Sequence, residues 1–158
     1  MNCKWTLHVE NFARIKNADI EISPLMCFVG DNNSGKSYMM SLLWGILNLG
    51  RDLFPKNVPE SKSYKECEIW LEDHLNTNIK FDADVTAKYL KWFNDLLNFQ
   101  KKSFLQKIFN YEIDASKICI NNFMLLRTLN LKWDKTCTKY SIAADHIQFP
   151  IQEKYTKE

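Results

Sequence analysis

Gly30-Asp31-Asn32-Asn33-Ser34-Gly35-Lys36-Ser37 is the stretch that decides how this chain is read. It fits G-x-x-x-x-G-K-[ST], the pattern of a phosphate-binding loop. The apolar run Met26-Cys27-Phe28-Val29 leads into it and reads as a short buried strand. The apolar segment from Tyr38 to Leu49 follows and reads as a helix. Strand, loop and helix in that order are the context the pattern requires. Successive backbone N–H groups across Asp31, Asn32, Asn33, Ser34, Gly35 and Lys36 would wrap phosphates, and the helix would point its positive end at them. Lys36 is expected to reach the β- and γ-phosphates of ATP, and the Ser37 hydroxyl to ligate Mg²⁺. Gly30 and Gly35 give backbone freedom where a Cβ would obstruct the turn or the phosphate. The bland alternative, a glycine-containing turn without a ligand, leaves the adjacent Lys-Ser at the helix start unexplained.

Outward from the loop, the layout continues to be informative. Trp5-Thr6-Leu7-His8-Val9 alternates as a strand, and Ala18-Asp19-Ile20-Glu21-Ile22 alternates again. Ser23-Pro24 breaks the chain before the loop's own approach. Leu7-His8-Val9-Glu10-Asn11-Phe12, then Ile20-Glu21-Ile22, then the loop itself resemble the N-terminal lobe of ABC-type ATPases of the RecF, SMC and OLD (overcoming-lysogenization-defect) group. Asn33 stands where SMC-like members usually carry Gly, so Asn-Asn-Ser-Gly-Lys-Ser looks more like the OLD and defence-associated branch. The resemblance covers about the first third of the chain. It implies an α/β P-loop fold, ATP and Mg²⁺ as ligands, and a role in DNA repair or anti-phage defence. It makes Arg14 a nucleotide or phosphate contact beside the loop; a solvated turn charge is the alternative. Asn32 would lie near the γ-phosphate and attacking water, or would simply tolerate the loop's backbone angles.

Such ATPases also need a Walker B strand ending in Asp-Glu and a Ser- and Gly-rich signature segment from the opposite protomer. The chain has four glycines, Gly30, Gly35, Gly45 and Gly50, so a glycine-containing signature is absent after residue 50. Ile69-Trp70-Leu71-Glu72-Asp73 has its acids in the wrong order and reads as part of an amphipathic helix. The resemblance therefore implies one partial ATPase domain over 1–158, the N-terminal portion of a longer ATPase. It would act as a homodimer or with a complementing C-terminal lobe, with DNA or an effector such as a nuclease as further partner.

Composition sets looser bounds. Apolar content of 46% and charged content of 25% over 158 residues suit one globular domain. A net charge of +2 does not by itself demand a nucleic-acid partner. The five cysteines include no C-x-x-C pair, so neither a zinc site nor a disulfide framework is indicated, and a cytoplasmic setting is expected. The apolar run Met39–Leu49 is too short for a bilayer, which takes about 20 residues. His8, His74 and His146 read as surface or strand residues rather than metal ligands.

Past the first 50 residues, with their strands, loop and first helix, Gly50 suits a helix C-cap, and residues 51–62 read as a surface connection. A helical insertion is expected over 63–110. Its first helix runs from Ser63 to about Leu75, ended by Asn76-Thr77-Asn78; its second runs from Asp84, as N-cap, to Phe109. Lys88, Lys91, Lys101, Lys102 and Lys107 share a face with Trp92, Phe99 and Phe104 between them. That face is read as solvated, with its aromatics completing the core, in preference to a DNA-facing surface. Further strands are expected over 111–150: Lys117–Ile120, Asn130–Trp133, Lys139–Ile142 and Ile147–Phe149. By family resemblance Gln148 is a candidate Mg²⁺ contact, or else a strand residue facing solvent. Residues 152–158 read as a polar tail.

Two other functions fit the same residues. A small P-loop phosphotransferase suits the length, but only Arg14, Arg51 and Arg127 are available to surround a transferred phosphoryl group. A non-catalytic protein-interaction module would use nucleotide at most as a structural ligand.

Overall fold

The computed structural model describes residues 5–49, 60–74, 78–80, 82–123, 128–130, 139–143 and 148–152. Strand β1 (Trp5–Phe12) turns back into β2 (Ile15–Ile22), with Leu7 opposite Ile20 and Val9 opposite Ala18. Period-two alternation sends Trp5, Leu7 and Val9 to the buried face and leaves Thr6, His8 and Glu10 partly exposed on the other. Asn11 and Ala13 take the left-handed backbone that closes the hairpin. β2 ends at Ile22, and Ser23 Oγ then donates to Leu25 O at 2.8 Å.

Met26–Val29 is not the buried, paired strand that its apolar run suggests. The alternation survives: Met26 and Phe28 pack against the core, while Leu25 and Val29 are 91% and 83% exposed. What is absent among the described residues is a ladder partner, and an extended segment is a strand only when a neighbour takes its N–H and C=O groups.

Helix α1 (Lys36–Leu49) begins two residues before Tyr38 and buries Met39, Leu42, Gly45 and Ile46. Helix α2 (Lys62–Asp73) is capped by Ser61, whose Oγ accepts from Tyr64 N at 3.0 Å. A three-residue strand, β3 (Asn78–Lys80), comes next. Helix α3 (Ala83–Phe109) is capped by Asp82 rather than Asp84. The cap must sit in extended backbone and reach the N3 amide; Asp82 does, accepting from Val85 N at 2.9 Å. Asp84 instead lies in the first turn, where a carboxylate favours the positive helix end.

α3 is the spine of the core. Its Tyr89, Trp92, Phe93, Leu97, Phe104 and Leu105 join Leu7, Val9 and Phe12 of β1 and Met39, Leu42 and Ile46 of α1 in one buried cluster. Trp92 and Phe104 thus belong to the interior, as the solvated-face reading has it, while Phe99 is exposed. Lys91 and Lys102 meet Glu66 at 3.4 Å and Glu112 at 2.8 Å, and Lys101 donates to Ser116 O. Strand β4 (Lys117–Asn121) then pairs antiparallel with β1, giving the sheet order β2-β1-β4. Ile118 and Ile120 fall opposite Val9 and Leu7, so three strands bury one face together.

Two further antiparallel pairs are formed. β5 (Thr128–Asn130) pairs with β3, and β6 (Lys139–Ala143) pairs with β7 (Gln148–Gln152). β5 begins two residues before the expected Asn130. β3 falls partly on Asn78, expected to end a helix. The Gly50 cap, the connection over 51–59, residues 131–133 of an expected strand and the tail after 152 lie outside the described residues. Among the described residues, no helix is long and apolar enough to cross a membrane.

Candidate functional site

The loop between Gly30 and Lys36 is shaped by three left-handed positions, Gly30 (φ 149°), Asn33 (φ 72°) and Gly35 (φ 93°). Asn is among the few side chains that tolerate this region, which accounts for Asn33. Gly35 is doubly required: a Cβ there would lie 2.8 Å from Ile15 Cγ1 and 2.9 Å from Cδ1. Ile15 opens β2, so the β1–β2 turn is packed directly onto the loop. Ser34 N donates to Asp31 O at 3.3 Å, tightening the loop, and Met39 N to Gly35 O at 3.0 Å, starting the helix.

Asp31, Asn32, Asn33 and Ser34 are exposed, as is Ser37, whose hydroxyl is therefore accessible at the start of α1. The first turn of α1 carries no acidic side chain. Its early N–H groups have no partner within the helix, so the positive end is left for an external anion. Lys36 bends back across the loop. Its Nζ donates to Gly30 O at 2.6 Å, to Asp31 O, and to Ser34 Oγ at 3.2 Å. The ammonium is thus anchored over the loop rather than extended into solvent.

Arg14 is exposed in the β1–β2 turn, one residue from the Ile15 contact with Gly35. The turn that carries Arg14 is therefore packed beside the loop through its neighbour Ile15. Gln148 is the first residue of β7, opposite Ala143 in a sheet separate from β2-β1-β4. Among the described residues, no group of three His, Cys, Asp or Glu side chains could hold a metal ion.

A third segment borders the site: the connection from Asn110 to Ser116 between α3 and β4. Ala13 N donates to Asp114 O at 3.2 Å and Ser116 N to Glu10 O at 2.8 Å, while Asn11 Nδ2 donates to Ser116 Oγ at 2.9 Å. Tyr111 Oη donates to Tyr38 Oη at 3.0 Å, in the first turns of α1. Sequence reading missed this approach, because a loop after a long helix carries no signal of what it will touch. A separate groove of about 420 Å³ runs along α3 and β4, lined in part by Lys91, Asn94, Asn98 and Cys119; it contains no residue of the loop.

The other polar cluster lies on the outer face of the sheet. His8 Nδ1 lies 2.8 Å from Asp19 Oδ1 and its Nε2 2.9 Å from Glu10 Oε1. Hydrogen bonds to Glu10 first, and then Asp19, raise the His8 pKa above its usual value; the bond from His8 holds Glu10 below the usual carboxylate range. Burial pushes the Cys67 thiol up to about 12, so it stays protonated and unreactive.

With the geometry in place, comparison with known proteins adds one finding. The family model of the AAA ATPase domain matches residues 5–157. The chain belongs to the AAA ATPase domain family. No curated protein and no solved structure matches it. In this AAA ATPase domain, the residues present fit a Mg²⁺-bound nucleoside triphosphate. The acid-free positive helix end, the exposed loop backbone, the Lys36 ammonium and the accessible Ser37 hydroxyl are donors of the kind that triphosphate and metal require.

Proposed function

We propose that this AAA ATPase domain is the ATP-binding lobe of an ATPase similar to the RecF/SMC/OLD group, of the branch associated with anti-phage defence or DNA repair. The observation that carries the reading is Lys36, tethered over a glycine-shaped loop at a helix end with no acid of its own. The backbone of residues 31–36 cradles the phosphates, Lys36 neutralises them, and Ser37 holds Mg²⁺, with Arg14 contacting the nucleotide from the adjoining turn. Bound Mg·ATP supplies the reactive phosphoryl group; this chain's residues bind and orient it.

A protein partner is part of the proposal. Leu25 and Val29 before the loop and Met40 and Trp44 after it are large apolar side chains exposed on both flanks. Such exposure around a binding loop supports completion of the site by another protein surface, the opposite protomer or a C-terminal ATPase lobe. The Walker B acids and signature segment would come from a C-terminal ATPase lobe, since the chain's own sequence offers neither to a second copy. On this reading the isolated chain holds ATP without turning it over repeatedly. Equilibrium dialysis with labelled ATP, run beside a phosphate-release assay, tests both halves. Retention of ATP with no multiple turnover is expected; sustained phosphate release by the purified chain would contradict it. Transfer of phosphate to a nucleoside monophosphate would favour the phosphotransferase reading instead.

A further inference from the structure

We propose that Tyr111 is the base-stacking wall of the nucleotide site, making the site select nucleotides over bare polyphosphate. This inference rests on the reading of residues 30–37 as the phosphate cradle.

Tyr111 is 50% exposed, yet it is held in place. Its hydroxyl donates to Tyr38 Oη at 3.0 Å, and its ring meets Phe109 edge-on with centroids 6.1 Å apart. Beneath it, Tyr38 packs on Phe109 at 5.7 Å and edge-on to Phe12 at 6.3 Å. These contacts join α1, the end of α3 and the end of β1. Asn110, in left-handed backbone (φ 58°), ends α3 just before Tyr111. The Ala13–Asp114 and Glu10–Ser116 bonds then fasten the same segment to the β1–β2 turn that carries Arg14.

Tyr38 follows Ser37 directly, so the Tyr111 hydroxyl is fixed at the side of the helix whose N-terminus faces the phosphates. A nucleotide bound there extends its ribose and base away from the helix end, along one of the loop's walls. Among the described residues, the wall formed by the β1–β2 turn and residues 110–116 presents an anchored aromatic ring with exposed surface, that of Tyr111. Stacking needs such a ring: a π face open to the ligand and a frame that spares the ordering entropy on binding. Because every base has a π face, the wall discriminates nucleotide from polyphosphate more than one base from another.

The test compares Mg·ATP with Mg·tripolyphosphate, which has the phosphates but no base, on the intact chain by calorimetry. The proteins are the wild type, Tyr111→Leu, which keeps apolar contact with Phe109 but has no π face, and Tyr111→Phe, which keeps the ring. Tyr111→Leu should weaken ATP binding roughly ten- to a hundred-fold, the loss of one stacked base, and leave tripolyphosphate unchanged. Tyr111→Phe should bind ATP within about threefold of wild type, since its ring is retained. Equal weakening of both ligands by Tyr111→Leu would overturn the proposal and make Tyr111 a support for α1. Unchanged ATP affinity in Tyr111→Leu, or a Tyr111→Phe loss as large as the Tyr111→Leu loss, would also overturn it. Binding of neither ligand by the wild type would instead overturn the phosphate-loop reading, and this inference with it.

Discussion

Gly35 shows how a single missing side chain shapes the loop. Its backbone is left-handed and Ile15 fills the space a Cβ would need, so Gly35→Ala combines backbone strain with overpacking. We predict a stability loss of about 1–3 kcal/mol in urea unfolding, with a displaced β1–β2 turn. His8 makes a second prediction at this scale. Its folded pKa is raised, so the stability it contributes is fully present below its ordinary value of 6.5 and is lost as pH rises through the raised value. Glu10, held low, contributes in the opposite sense: its share is present above its ordinary 4.5 and is lost as pH falls through the lowered value. The melting-temperature gap between wild type and His8→Gln should therefore narrow as pH climbs above 6.5 and again as it falls below 4.5. A gap independent of pH would contradict the ion-pair assignment. In the loop itself the backbone freedom needed at Gly30 and Gly35 was legible from spacing alone. The partner of Gly35 was not, because Ile15 lies twenty residues upstream and is brought to it only by the hairpin.

At the scale of elements, α3 protects the sheet in a way its sequence does not announce. Asn94 and Asn98, one turn apart, face the edge of β4 away from β1. Asn94 Nδ2 donates to Ile120 O and Ile120 N donates to Asn94 Oδ1, both at 2.8 Å. Asn98 repeats the pattern with Ile118 at 2.7 and 3.1 Å. The two amides stand in for a neighbouring strand and close that edge to strand addition. Asn98→Ala would leave the Ile118 amide and carbonyl without these partners, at about 1–3 kcal/mol in chemical denaturation. A neutral result would show that water replaces the side chain. α3 was readable from Val85 to Ile108 because its apolar period is long and regular, β1 and β2 because their apolar residues alternate, and β4 as a short apolar run. Asp82, not Asp84, caps α3, since two acids two residues apart look alike until backbone angles separate them. Met26–Val29 misled for a similar reason: its apolar run encodes an extended segment with one face on the core, whereas pairing depends on a neighbour that composition does not reveal.

At the scale of the molecule, three segments distant in sequence meet at one place: the β1–β2 turn, the loop at 30–36 and the connection at 110–116. The hydrophobic core that holds them is shared by β1, α1 and α3, so the site is built into the fold rather than carried on a separate flap. On the proposed reading a protein partner docks on the exposed Leu25, Val29, Met40 and Trp44, and charged substitution there should leave ATP affinity unaltered while abolishing that association. Calorimetric titration of Mg·ATP into wild type and Lys36→Ala tests the central claim most directly. The account predicts saturable binding by the wild type at one site and a loss of at least about tenfold in the variant, as removal of a charge-assisted phosphate contact implies. Equal affinity in the two proteins, or no binding by the wild type, would contradict it.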